Sequence, residues 1–413
     1  MQSTETLDAV VIGAGWAGLG VSHSLGVAKL RYRLLERARI GETWRSQRWD
    51  SFYMNTPNSF TVMPGDKYNG ANPEGFLNRN EFIDLLEDFA TRRNICVELD
   101  TPVSHLALNE EGPTFEITTP RGEFRAKNVV IASGSLNRPR RPAFTANLPN
   151  RLLQIDASDY RNPSELPAGG VLVVGSGQSG GQIAEDLILA GRTTFLSTGH
   201  IGRLPRRYRG RDIVAWMVDM GLFDTPRREF VDPSGRIEPR PLIGARHTIS
   251  LQMLSAMGVI LLGRFTGFDE TTGRLVFAED LTENLRYGDE VSQRFETLID
   301  EFIEKEGIRA EKEVVEVITP KLPNPPIRSL DLIACGVVTV IWCTGFEGNY
   351  DWVNVPGTLD DRGQPRQNNG VGAVPGMYFA GMDFAVTRKS GTIMAVDEES
   401  RSLTEHIVAR LQA

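Results

Sequence analysis

The sequence predicts an α/β protein made of two dinucleotide-binding (Rossmann-like) units, the second inserted in the first. Three observations carry this. An apolar run, Ala9 to Ile12, leads into Gly13, Gly15 and Gly18 in G-x-G-x-x-G spacing. A second run, Val171 to Val174, leads into Gly175, Gly177 and Gly180 with the same spacing. Two further apolar runs end at small-residue turns, 132–134 and 343–345, as a chain crossing between two units does. The implied division is 1–165 for the opening part of the first unit, 166–318 for the inserted unit, and 319–413 for the return to the first.

Each fingerprint has a physical reading. The first glycine allows a tight turn, the second lets a pyrophosphate approach the backbone, and the third lets the helix pack on the strand. Free N–H groups at the helix start then face the phosphate charge. In the first unit Arg31 to Glu36 reads as the next strand. It ends in Glu36, 23 residues after Gly13, near the spacing for a carboxylate that bonds ribose hydroxyls. The alternative is a glycine-rich turn that holds no ligand. Gly41-Glu42-Thr43-Trp44, Arg48-Trp49 and Met54-Asn55-Thr56-Pro57 follow as irregular chain beside the ligand, with core packing the competing role for Trp44 and Trp49. Residues 80–94 have helical periodicity with Asn80 as N-cap. Residues 95–131 read as short strands, the last of which, Asn128 to Ala132, closes at Ser133-Gly134. Pro139 and Pro142 mark a hinge.

The second unit differs at one position. After its helix, Gln182 to Ala190, and strand, Thr194 to Leu196, counting 22 residues from Gly175 reaches Ser197 rather than an acid. Arg203, Arg206, Arg207, Arg209 and Arg211 follow. A missing acid with arginines nearby is the signature of a ribose 2′-phosphate, hence NADP rather than NAD. A solvated basic loop is the alternative. Beyond this, 213–263 reads as partly helical with a strand at Val259 to Leu262. Leu281 to Glu306 reads as an exposed helix interrupted at Gly288. The proline-rich Pro320 to Pro326 is a candidate crossover. Val337 to Trp342 and Met377 to Ala380 are buried strands, and a last helix covers about 392–411.

Composition narrows the function classes. The 413 residues carry 45 basic and 53 acidic side chains, a net charge of −8, which gives no reason to expect nucleic acid or an anionic membrane. No apolar run is long enough to span a bilayer. The N-terminal apolar segment is flanked by Glu5 and Asp8 rather than lysines, so it does not read as a signal peptide. Cys96, Cys335 and Cys343 form no C-x-x-C pair, which argues against a dithiol centre and suits a reducing cytoplasm. The five histidines have no ligand spacing, so no metal is expected.

With these motifs in place, the chain resembles the flavin-containing monooxygenases and their bacterial relatives over nearly its whole length. The paired fingerprints, the segment Gly41 to Trp44, Trp342 to Phe346 (WCTGF) and Arg203 to Asp212 (RLPRRYRGRD) carry the resemblance. In that family the first nucleotide is FAD and the second NADPH. The resemblance implies that Gly13, Gly15, Gly18 and Glu36 hold FAD, with Trp16, Ala17, Arg37, Thr43, Trp44, Val103, Ser133, Gly134 and Asp383 beside it. It implies that Gly175, Gly177, Gln178, Ser179, Gly180, Ser197 and Arg203 hold NADPH, with Thr344 and Gly345 at the cofactors. Asp383 stands one residue later than the glycine–aspartate pair of related flavoproteins.

Two residues are implied to be catalytic. Asn55 matches an asparagine beside the flavin's reactive face in the N- and S-oxygenating members. Asp156 falls where the family signature Phe-x-Gly-x-x-x-His-x-x-x-Tyr has its histidine. Anchored on Tyr160, the glycine position is Leu152 and the phenylalanine position Asn150, so Tyr160 alone matches. Either one of the arginines at 203–211 binds Asp156 and the domain interface is ordered in another way, or NADPH is spent as peroxide; the first is favoured. The implied reaction forms a flavin C4a-hydroperoxide from NADPH, FAD and O2 and oxygenates a soft amine or sulfur of a small molecule. Ketone oxygenation of the Baeyer–Villiger type, with Arg388 as its cation, and an NADPH-dependent oxidase or reductase are the alternatives. The expected partners are a small-molecule substrate and O2, with no nucleic acid or membrane; a homodimer is left open as the assembly.

Overall fold

A computed structural model describes residues 6–109, 112–233, 235–312 and 318–413. Its first large sheet has seven strands. Five are parallel, in the spatial order Met377–Phe379, Val129–Ile131, Ala9–Ile12, Tyr32–Leu35 and Val97–Glu98. Val371–Gly372 and Gln367–Asn368 extend it antiparallel at one edge. Ala9–Ile12 is buried throughout, as a central strand covered on both faces must be. The helix Trp16–Val27 follows it and packs against the last helix, Val396–Gln412.

The second sheet is five-stranded and wholly parallel. Its order is Leu153–Asp156, Val337–Trp342, Gly170–Val174, Thr194–Ser197 and Ile260–Leu262. Two of these strands lie outside 166–318, because Leu153–Asp156 and Val337–Trp342 both belong to the inserted unit. The link between the units is a two-stranded antiparallel ribbon, Arg138–Pro139 against Phe346–Glu347. The chain therefore crosses at the small-residue turns, and the proline-rich 320–326 is not the crossover. That stretch leads instead to Ser329–Asp331, the third strand of a small antiparallel sheet with Phe265–Asp269 and Arg274–Phe277.

Two local expectations need correction. The helix Arg79–Arg92 is capped by Asn78, not Asn80. The Asn78 side chain accepts from the Asn80 and Glu81 amides, while Glu81 accepts from the Asn78 amide, a capping box. Leu281–Glu306 runs unbroken through Gly288, which packs beside Arg203 and the Ile201 carbonyl. Among the described residues no helix is long and apolar enough to cross a membrane.

Candidate dinucleotide clefts

The two glycine turns are built alike. Gly13 and Gly175 have φ near +108° and +106°, where a side chain is strained. A Cβ on Gly13 would strike the Ala132 carbonyl, and one on Gly175 the Cys343 carbonyl. Each turn is thus wedged against the end of a neighbouring strand. A Cβ on Gly18 would collide with the Gly13 carbonyl, and one on Gly180 with the Gly175 carbonyl. By contrast, a Cβ on Gly15 or on Gly177 would meet nothing within 4 Å. These second glycines face open space, where a pyrophosphate needs the backbone bare. They are also the N-caps of Trp16–Val27 and Gln178–Leu189, neither of which has a side-chain cap on its free amides.

At the first turn lies a cleft of about 390 Å³. Its walls include Gly13, Gly15, Trp16, Ala17, Glu36, Arg37, Thr43, Trp44, Val103, Ser133, Gly134 and Asp383. Gly18 is absent from the wall, since it packs helix on turn. Glu36 is 6% exposed. Its carboxylate accepts from the Ala14 amide at 2.7 Å and the Ala38 amide at 3.1 Å, bracing the turn while bordering the cleft. Burial raises its pKa, opposed by those two hydrogen bonds and by Arg37. Trp44 borders the cleft with its ring centroid 4.6 Å from that of Phe82, whereas Trp49 is buried core against Phe52. A dinucleotide with a flavin fits this cleft: a bare glycine at the helix start, a carboxylate on the strand end and an aromatic wall.

The residues around the second turn depart further from expectation. Ser197 is 2% exposed; its hydroxyl donates to the Gly263 carbonyl at 3.1 Å and accepts from the Phe265 amide at 2.8 Å. It ties two strand ends together rather than facing a ribose. The basic segment is neutralised within the protein. Arg203 pairs with Asp289 at 2.6 Å, Arg207 with Glu74 at 2.7 Å, Arg209 with Asp300 at 2.8 Å and Arg211 with Asp219 at 2.8 Å. Arg206, 1% exposed, pairs with the buried Asp212 and donates to the Asn55 and Gly244 carbonyls. Burial lowers the Arg206 pKa, opposed by Asp212. These pairings make the segment a structural strap, and Asp289 and Asp300 on a later helix and Glu74 in an earlier turn left no local signal in the sequence. Gln178 donates to the Pro241 carbonyl and accepts from the Gly244 amide. Ser179 is the second residue of the helix that Gly177 caps. Thr344 and Gly345 bond Arg140 in the crossover and are not among the residues lining the first cleft.

Asn55 joins the two units. Its side-chain oxygen accepts from Gln182, on the helix of the second fingerprint, at 3.0 Å. Asp156 meets Arg141 just past the crossover, not an arginine of 203–211; the two hydrogen bonds are 2.7 and 2.8 Å. Asp383 is held at 2.7 Å by Arg240 of the inserted unit. Arg388 packs 4.8 Å from the Phe230 ring and does not line the first cleft. Arg48, in the segment expected beside the ligand but given no role of its own, does line it.

A mostly parallel and a wholly parallel sheet joined by a two-stranded ribbon, each with a glycine turn at a bare helix start, are the architecture of two dinucleotide-binding units. The family described as pyridine nucleotide-disulphide oxidoreductase matches residues 10–206. An uncharacterized CzcO-like oxidoreductase of Geobacillus kaustophilus is 29% identical over 97% of this chain and 98% of its own. A probable indole-3-pyruvate monooxygenase, YUCCA1 of Arabidopsis thaliana, is 28% identical over 49% of each chain. The solved flavin-containing monooxygenase from Stenotrophomonas maltophilia has a TM-score of 0.67 at 18% identity, covering 98% of this chain and 99% of that one. The chain is thus similar over nearly its whole length to an oxidoreductase, and in fold to a flavin-containing monooxygenase. Its cysteines are all unpaired.

Proposed function

We propose that this protein is an FAD- and NADPH-dependent monooxygenase that oxygenates a soft nucleophile, an amine nitrogen or a sulfur, of a small molecule. FAD takes the cleft at the first glycine turn and NADPH binds at the second turn. Reduced by hydride from NADPH, FAD supplies the activation of O2 and the transfer of one oxygen atom.

The chain's residues bind, orient and enclose. Gly15 and Gly177 admit the two pyrophosphates to the helix N-termini, and Glu36 stands at the strand end where ribose hydroxyls bond. Asn55 and Gln182 hold the two units together at 3.0 Å, and this contact carries the reading, because hydride transfer requires the two nucleotides to meet. A soft nucleophile needs no side-chain base, and no histidine lines the first cleft. The ketone alternative relied on Arg388, which packs on Phe230 away from that lining. Three unpaired cysteines suit a reducing cytoplasm.

The test supplies the purified protein with NADPH, isotopically labelled O2 and a panel of thioethers, amines and ketones. The expected product carries one labelled oxygen on sulfur or nitrogen. Esters or lactones as the only products, or NADPH consumed to peroxide alone, would overturn the proposal.

A further inference from the structure

Arg48 lines the first cleft, and among the described residues no acid pairs with it. It follows the short helix Glu42–Ser46, whose Trp44 shares the wall. The guanidinium carbon lies 4.8 Å from the Trp44 ring centroid and 5.7 Å from that of Phe52. Its side chain donates at 2.8 Å to the Gln47 carbonyl, a neutral acceptor. Nearby arginines are compensated: Arg45 pairs with Glu87, and Arg79 with Asp50. At Arg48 desolvation lowers the pKa to about 10, with no nearby charge acting against it. An arginine in that range is still ionised at neutral pH. A desolvated charge without a partner is costly, and ring faces offset only part of that cost. The protein's own groups leave this charge unanswered, and the cleft it borders is the place from which an anion reaches it.

We propose that Arg48 is the counter-charge of the FAD bound in this cleft. The inference rests on the reading of the first cleft as the FAD site. FAD carries negative charge in two places: the pyrophosphate, always, and the ring system once it is reduced and deprotonated. Both are answered by the same cation, and they differ in what they predict. A contact to the pyrophosphate stabilises oxidised and reduced cofactor alike. A contact to the reduced ring favours the reduced form alone and raises the midpoint potential.

The experiment compares wild type, Arg48→Met and Arg48→Lys as holoenzymes. FAD release on dilution is read by fluorescence, the midpoint potential by equilibration with a reference dye, and the fold by circular dichroism. Arg48→Met is expected to keep the fold and to show one of two changes. A loss of FAD affinity of about tenfold or more assigns the pyrophosphate. A tenfold loss of preference for the reduced form, a fall of ~30 mV for a two-electron couple, assigns the ring. Arg48→Lys, which keeps the charge, is expected to recover most of either loss. Should Arg48→Met fail to fold, Arg48→Gln, which can still donate to the Gln47 carbonyl, replaces it. Affinity and potential both within twofold of wild type would overturn the proposal. A wild type that takes up no FAD would instead overturn the assignment of the cleft.

Discussion

Arg141 grips Asp156 with two hydrogen bonds, Nε to Oδ1 at 2.7 Å and Nη2 to Oδ2 at 2.8 Å. Arg141 lies just past the ribbon that links the units, and Asp156 ends the edge strand of the second sheet. The pair therefore fastens the crossover to the carboxyl edge of that sheet, where the second turn also lies. Side-chain exposures are 32% and 13%, so the pair is partly desolvated.

Removing either partner leaves the other unpaired. Asp156→Ala is expected to destabilise the protein by about 1–3 kcal/mol, between the surface and buried limits for an ion pair. Arg141→Ala should cost a similar amount, and the double variant less than the sum. Urea unfolding of the four proteins measures the coupling. If Asp156 also orders the NADPH site, its removal lowers the rate of NADPH-dependent reduction and raises peroxide released per NADPH.

The duplicated turns predict a contrast within each. Gly18→Ala and Gly180→Ala push a methyl into a backbone carbonyl and should cost about 3 kcal/mol or more, or prevent folding. Gly15→Ala and Gly177→Ala meet open space and should leave stability within about 1 kcal/mol while weakening FAD and NADPH binding respectively. Thermal melts paired with cofactor titrations separate the two classes.

Arg203 gives a test of the cofactor argument. With its guanidinium on Asp289 and Ser292, Arg203→Ala is expected to shift the Michaelis constants for NADPH and NADH together, within about threefold of one another. A selective rise for NADPH alone would show that the arginine leaves Asp289 to take a phosphate. If the two constants move together, preference for NADPH rests on the absence of a carboxylate after Thr194–Ser197 rather than on this arginine.

Glu399, in the first turn of the last helix, predicts a pH effect. Burial raises its pKa to about 7, opposed by a hydrogen bond with Ser390, and its Oε1 is buried without a partner. A carboxyl raised in the folded state favours folding when protonated. Its contribution is present below the unfolded pKa and is lost as pH rises through about 7. Glu399→Gln should stabilise the protein at pH 8, by on the order of 2 kcal/mol, with little change near pH 4.5. Unfolding free energies at the two pH values check the sign.

What the sequence made legible was local or periodic. Both glycine turns could be read because turn, phosphate approach and helix packing each demand glycine at a fixed spacing. The place of Glu36 at the end of the next strand, bordering the cleft, was readable from its spacing. The pairings that shape the site were not. Asp289, Glu74 and Asp300 lie far along the chain from the arginines they neutralise, so Arg203 to Arg211 read as free positive charge. Arg141 is 15 residues from Asp156, but the strand between them hides the approach. The boundaries 165/166 and 318/319 missed two strands of the second sheet, because a parallel sheet takes strands from distant segments and a buried apolar run does not say which sheet it joins. Arg48 sits in no motif, and an unpaired arginine cannot be told from a paired one until its surroundings are known.

The two glycine turns imply two nucleotides held so that one reduces the other. Anaerobic mixing of the purified protein with NADPH, followed by flavin absorbance, tests it most directly. The prediction is about one FAD per chain, bleached by NADPH, and bleached far more slowly when Gly177 is replaced by alanine. A chain that folds and binds no FAD, or whose FAD is untouched by NADPH, would contradict it.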